Sequence, residues 1–331
     1  IKFHHVPKWI EKPRYINNLL FSYLTQKATE NQFDIVHSHA MVTHANVQTL
    51  HVPCVLSRYT ESKGVKKLLR YLNTLLSPRL LAYLWLEKYQ IRTINHRQII
   101  AVSEFLARNI THSYPDVADH ISIAYPGIQI AHTEATQINQ RQQQRERLQL
   151  KEADFVLLFV ANDYKRKGLL VLLDAVKTIN NPRLHLIVAG NDQPEKLTDC
   201  VNKAGLNTQV HFIGACKDME ALYPAADALV HPTLADTYAM VVLEAMAHAI
   251  PVIVSHAKYC GFAEHLTHHE ALLINNPKDS SEIAQHIQLL LSDDSLRHSL
   301  AKQGKQKALS ICWGDTVEQT LLAYDKALAA H

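Results

Sequence analysis

From residue 155 onward the chain alternates short, continuous apolar runs with charged or alanine-rich segments of helical character. The runs are FVLLFVA (155–161), LHLIVAG (184–190), VHFIGA (210–215), ALVHPT (228–233), IPVIVS (250–255) and ALLINN (271–276). A strand that is apolar on both faces must be covered on both faces, and helices between successive strands supply that cover. The pattern predicts a parallel, doubly wound α/β sheet.

The first half repeats the pattern less regularly. It predicts a helix near 14–30, strands at 34–39 (DIVHSH), 52–57 (VPCVLS) and 98–103 (QIIAVS), and helical stretches across 63–95 broken at Pro78. QIIAVS runs straight into EFLARNITHSY, a helix for which Ser103 is the expected N-cap. A chain of 331 residues, 47% of them hydrophobic, has material for two cores. The expected division is a Rossmann-like domain over 1–130, a polar, glutamine-rich linker with some helix over 131–154, a second Rossmann-like domain over 155–310, and a C-terminal helix over 311–331 that packs back on the first domain.

Composition excludes several classes. The apolar runs are far shorter than the roughly 20 residues that cross a bilayer. The opening IKFHHVPKWIEKPRY has no apolar h-region. Five cysteines without CxxC spacing point to reduced thiols and a cytoplasmic setting rather than a disulfide scaffold or structural zinc. A doubly wound domain normally opens on a βα unit with a glycine-rich turn. This sequence starts at Ile1, meets a helix first and has only 9 glycines, so the expectation is that the first βα unit is absent from it.

Charge is uneven. Residues 1–150 hold 18 Lys and Arg against 10 Asp and Glu, whereas the remainder holds 16 against 21. A basic first half suits an anionic acceptor or a membrane surface. The segment 63–92 opens with Lys63, Lys66, Lys67 and Arg70 among leucines, which reads either as a peripheral membrane contact or as core helices with a solvated basic edge. Basic residues are not interleaved with aromatics, so no nucleic-acid partner is expected.

Two stretches carry the chemistry. In HPTLADTYAMVVLEAMAHAIPVIVS (231–255) a strand ends at Thr233, a loop presents Asp236, and a helix expected to start near Tyr238 carries Glu244. Eight positions at roughly 3.6 residues per turn bring both acids towards one side of that helix N-terminus. The N–H groups there and the helix dipole favour a phosphate, and the carboxylates favour hydroxyls. A sugar nucleotide satisfies both demands, although spacing alone leaves Asp236 open as an ordinary loop acid and Glu244 as a solvated one. In FVANDYKRKGLLVLLDAV (159–176) a strand ends at Lys165, Arg166 and Lys167, at the mouth where doubly wound sheets bind ligands. These cations can neutralise a diphosphate or remain a solvated turn. GxxxxGK[ST] is absent, which removes the case for a P-loop. The histidines His37, His39, His44 and His51 lack the acid or thiol that would complete a metal site, and His265, His268 and His269 read as a surface turn.

The combination of LVHPTLADTYAMVVLEAMAHAIPVIVS, VANDYKRKGLLVLLDAV, VHFIGACKDMEALYPAADALVHPT and IIAVSEFLARNI resembles the family-four retaining glycosyltransferases. VANDYKRKG, VAGNDQPEKL and CGFAEHL make it most similar to those that add a hexose to the lipopolysaccharide core. The resemblance spans nearly all of 34–331. It implies two Rossmann-like domains facing across a cleft, the first binding the acceptor and the second the nucleotide sugar. It implies that Asp236 contacts the transferred sugar and Glu244 the ribose. Lys167, with Arg166, would hold the diphosphate of a UDP-sugar, UDP-glucose being favoured. Thr237, Tyr238, Ala239 and Met240 would offer backbone N–H groups to the donor, and His51 would lie near sugar and acceptor as a catalytic residue with Lys167 and Asp236. No metal and no cofactor are implied, and the acceptor is a saccharide or glycolipid, met in the cytoplasm or on the inner face of the cytoplasmic membrane. The sequence departs from the family at Asp236, where glutamate is usual, at Ala239, where glycine is usual, and in the opening glycine-rich loop. These departures keep two alternatives open: a nucleotide-sugar epimerase or phosphorylase of the same fold, and a non-catalytic nucleotide-sugar-binding protein.

Overall fold

The structure, a computed structural model, describes residues 3–7, 9–60, 64–92, 97–129, 134–193 and 195–329. It divides into two compact units, residues 1–125 with 314–331 and residues 126–313.

In the first unit β1 (His37–Ser38), β2 (Val47–Leu50), β3 (Gln98–Ala101) and β4 (Ile121–Ile123) lie side by side in that order, all parallel. Val47 and Ile100 pack with Ala124, Ala323 and Ala327. The two alanines, four apart on the helix Trp313–Ala329, form one small-residue face that fits close to the sheet. Ser103 caps the helix Glu104–Ser113, its hydroxyl accepting from the Leu106 N–H at 3.1 Å.

VPCVLS is not a strand. Pro53 has no N–H to give. The Cys54 N–H donates to Asn109 Oδ1 at 2.9 Å, and those of Val55 and Leu56 donate to the carboxylate of Glu87. With those donors held by side chains, no ladder forms, and the chain turns into the short helix Ser57–Thr60. The strand is VQTL instead, whose polar Gln48 and Thr49 are buried. Gln48 donates its amide N–H groups to the carbonyls of Ser38 and Ala40, which offsets the cost of burying them, while its Oε1 has no partner among the described residues.

In the second unit β5 (Phe155–Val160), β6 (Leu184–Ala189), β7 (Val210–Gly214), β8 (Ala228–His231), β9 (Val252–Ser255) and β10 (Leu272–Ile274) form one parallel sheet in the order β10-β9-β8-β5-β6-β7. β5 pairs with β6 on one side and β8 on the other, so the direction of winding reverses between β5 and β8. Crevices for ligands open at such reversals, beyond the C-terminal strand ends. Leu157, Phe159, Leu186 and Val188 are fully buried against the helix Leu169–Ile179 through Leu172 and Val176.

The expected linker is corrected by the structure. Residues 134–147 form a helix of the second unit. Its Arg145, 3% exposed, donates to Asp227 Oδ2 at 2.6 Å and to carbonyls of Ala225 and Asp154, while Arg141 donates to Asp227 Oδ1 at 2.8 Å. Glutamine-rich composition suggested a solvated connection, but two arginines converging on one carboxylate anchor it. Residues 131–133 lie outside the described residues.

The stretch expected as helical over 63–95 forms Gly64–Leu75 and Pro78–Ile91, with Ser77 and Pro78 at the break. Val65, Leu68, Leu69, Leu72, Leu75 and Leu76 are all exposed. Lys63 and the side chains of Lys66 and Lys67 lie outside the described residues. Among the described residues no helix is long and apolar enough to cross a membrane.

Candidate active site

β5 and β8 each deliver one loop to the crevice. After β5 the chain reaches Gly168 with φ +84°, where a Cβ would stand 2.1 Å from the Pro232 carbonyl oxygen. Glycine is thus required for the two loops to touch. They are joined by the Leu234 N–H donating to the Arg166 carbonyl at 2.9 Å. This contact sets Lys167 beside the loop that follows β8.

Lys167 donates to Asp236 Oδ2, and both side chains are largely buried. His231, the last residue of β8 and 1% exposed, meets the same oxygen with Nε2 at 3.0 Å. Burial by itself raises a carboxyl pKa, but the imidazole and the ammonium outweigh it and hold Asp236 well below the usual carboxylate range. Burial likewise pushes His231 down, against the pull of Asp236. The imidazole is therefore neutral near pH 7 and donates its Nε2–H, while among the described residues Nδ1 has no hydrogen-bond partner.

The expected helical geometry of the two acids is corrected. Asp236 sits four residues ahead of the helix Met240–Ala247, in extended backbone: its N–H donates to the Tyr259 carbonyl at 2.8 Å and its carbonyl accepts from Gly261 at 3.0 Å. The helical period does not relate it to Glu244. Glu244 accepts instead from the buried Tyr223 hydroxyl, whose pKa burial drives upward, with the neighbouring carboxylate adding to the rise. Glu244, Met240, Tyr223 and His248 line a cleft of about 510 Å³ within the second unit, together with Lys217 and Asp218.

The remaining predicted residues are distributed as follows. Arg166 turns away from Asp236, its Nε donating to Asp163 at 3.1 Å with half of the side chain exposed. Thr237 is half-buried. Tyr238 is buried and its hydroxyl donates to the Pro126 carbonyl at 3.2 Å. Ala239 caps the helix with φ 69° and ψ 62°, the left-handed conformation that glycine adopts without cost. Its Cβ is accommodated rather than excluded.

His51 belongs to the first unit, just past β2. Its Nε2 lies 2.9 Å from His39 Nδ1, and His39 stacks on both His51 and His37. His37 bonds the Tyr324 hydroxyl at 2.8 Å and Thr49 at 2.7 Å. Burial lowers His51, and His39 lowers it further. Among the described residues no group of His, Cys, Asp and Glu is arranged to hold a metal ion. His265, expected on a surface turn, is half-buried beside Tyr238 and Phe262, whereas His268 and His269 are exposed.

Two residues of the site were not singled out from sequence. His231 lay inside an apolar run, where its one signal was a polar residue in an otherwise continuous strand. Tyr223 stands 21 positions before Glu244, a separation that no local period relates.

Residues 140–307 match the family described as Glycosyl transferases group 1, and residues 1–132 the one described as Glycosyltransferase Family 4. The lipopolysaccharide glucosyltransferase WaaG of Escherichia coli (strain K12) is 28% identical over 200 residues, 59% of this chain and 53% of that protein. A D-inositol 3-phosphate glycosyltransferase of Salinispora arenicola is 27% identical over 264 residues, 72% of this chain and 58% of that one. The chain thus spans little more than half the length of these curated relatives. Among solved structures, WaaG matches with a TM-score of 0.79 at 22% identity, over 92% of this chain and 81% of that one. Anabaena HepE in complex with UDP and glucose matches at 0.70 and 20%, over 92% and 79%. This likeness establishes the fold, two Rossmann-like units each built on a parallel sheet.

Proposed function

The chain belongs to the group 1 glycosyl transferases, and from that premise we propose that it transfers a hexose, with retention, from a UDP-sugar to a lipopolysaccharide core or related glycolipid. The observation that carries this reading is the meeting of Lys167 and Asp236 at the reversal between β5 and β8, in the unit whose cleft is lined by Glu244 and Tyr223. A diphosphate needs a cation, a hexose needs a hydroxyl acceptor, and a ribose needs a second carboxylate. UDP-glucose is the favoured donor because WaaG is named a glucosyltransferase and HepE was solved with UDP and glucose.

In this reading Glu244, held by Tyr223, binds the ribose, and Asp236 binds the sugar. Lys167 and the N–H groups of residues 237–240 stabilise the diphosphate, with Arg166 able to join them by leaving the exposed Asp163. The bond from the anomeric carbon to the diphosphate oxygen breaks with its electron pair on UDP. The acceptor oxygen bonds to that carbon on the same face, and its proton passes to the released diphosphate. Fixed charges aimed at the departing oxygen supply the stabilisation. The first unit takes the acceptor, with His51 beside it.

The exposed leucines of Gly64–Leu75, with Trp85 on the next helix, support contact with an anionic membrane surface on its cytoplasmic face. Flotation with anionic vesicles, and not with zwitterionic ones, is the expected result.

Titration with UDP, UDP-glucose, UDP-galactose and UDP-N-acetylglucosamine, followed by transfer assays on core saccharides, tests the assignment. Selective binding of one donor, lost in Glu244→Ala, is expected. Binding without transfer to any acceptor would favour a non-catalytic nucleotide-sugar-binding protein, and acceptor-independent UDP release an epimerase-like one.

A further inference from the structure

Asp236 Oδ2 receives two donors of different character, and among the described residues Oδ1 receives none. Lys167 reaches it through four methylenes and carries a compact charge that a diphosphate competes for. His231 cannot follow such a move. Its ring is fully buried, and its strand is pinned between β5 and β9. Its tautomer is fixed by the same contact: Nε2 donates, and the unpartnered Nδ1 is an acceptor, which is less costly buried than an unpaired N–H would be.

We propose that His231 is a positioning residue for Asp236, occupying Oδ2 so that Oδ1 alone faces the transferred sugar and holding the carboxylate in place when Lys167 turns to the donor's diphosphate. The proposal rests on the reading of Asp236 as the sugar contact. It separates two roles that the ion pair merges. Lys167 is shared between carboxylate and phosphate, whereas His231 serves the carboxylate only. Loss of His231 therefore affects recognition of the sugar and spares that of the nucleotide.

Calorimetric titration with UDP and with UDP-glucose tests this in the full chain and in His231→Phe, His231→Gln, Asp236→Asn and the Asp236→Asn/His231→Phe double variant, with a thermal midpoint for each. His231→Phe is expected to lower affinity for UDP-glucose relative to UDP about tenfold, as loss of a hydrogen bond to a charged group does. His231→Gln, whose Nε2–H can stand in for the imidazole donor, should recover most of it, and the double variant should lose no more than Asp236→Asn alone. Equal weakening of UDP and UDP-glucose, or a His231→Phe effect that persists beside Asp236→Asn, would overturn the proposal. If Asp236→Asn lowers the ratio and His231→Phe does not, only the role of His231 falls. If Asp236→Asn leaves it unchanged, the reading of Asp236 falls and this proposal with it. Should His231→Phe not fold, His231→Met carries the same comparison.

Discussion

The Tyr223 hydroxyl donates to Glu244 Oε2, joining the turn after Met219–Leu222 to the helix Met240–Ala247 across the lining of one cleft. The ring of Tyr223 stacks on His248 with centroids 5.2 Å apart, so the hydroxyl is aimed by packing before any ligand arrives. Tyr223→Phe keeps that stack and removes the bond. UDP affinity should then fall about tenfold, the lower end for a hydrogen bond to a charged group, with the thermal midpoint little changed. Unaltered UDP affinity in calorimetry would mean that this bond does not prepare Glu244 for the nucleotide.

Gly168→Ala tests the backbone approach that brings the two site loops together. The added Cβ meets the Pro232 carbonyl at 2.1 Å and sits at a φ that costs L-residues about 1–2 kcal/mol even without the clash. Chemical denaturation should show a loss of about 2 kcal/mol or more. A loss below about 0.5 kcal/mol would mean that the loops separate freely.

Arg145→Ala should cost about 2–3 kcal/mol, because it removes a hydrogen bond to the largely buried Asp227 carboxylate, which keeps Arg141. The Val156 N–H also rests on that carboxylate at 2.7 Å, so the damage should reach the start of β5. Urea unfolding measures the first effect, and amide exchange at Val156 reports the second.

Stability should fall as pH drops from about 6.5. Burial lowers His37 to about 4, with His39 and His51 adding to the shift, and burial also leads the lowering at His44, His185 and His211. Between the folded and unfolded pKa values the unfolded chain binds more protons, so acid favours unfolding. The contribution of His37 is complete above about 6.5 and is lost as pH falls through about 4. Glu87, raised by burial, acts in the opposite sense. Thermal midpoints from pH 7.5 to 4.5 should therefore have a shallower slope in His37→Gln than in the parent chain, and equal slopes would exclude His37 as a source.

Much of the second unit could be read directly. Each of its six strands falls inside an apolar run, because a strand covered on both faces has no choice but to be apolar throughout. The RKG turn and the acids at 236 and 244 could be named for the same local reason: strand ends and helix starts are marked by residue type. VQTL is not legible as a strand because the buried Gln48 finds its partners in the backbone carbonyls of Ser38 and Ala40, and VPCVLS is misleading because Glu87, more than thirty positions away, takes its N–H groups. The helix 134–147 has the composition of a linker, and nothing nearby in sequence announces its partner Asp227.

Residue pattern thus specifies the parallel sheet of the second unit, the loops that carry Lys167 and Asp236, and the family. Tertiary structure alone decided which partner each charged group takes: Asp236 with His231 and Lys167, Glu244 with Tyr223, Arg166 with Asp163. Local pattern follows from periodicity, which acts over a few residues. Pairing of buried charges follows from which strand ends the winding order brings together, and that order is set only when the whole sheet has formed.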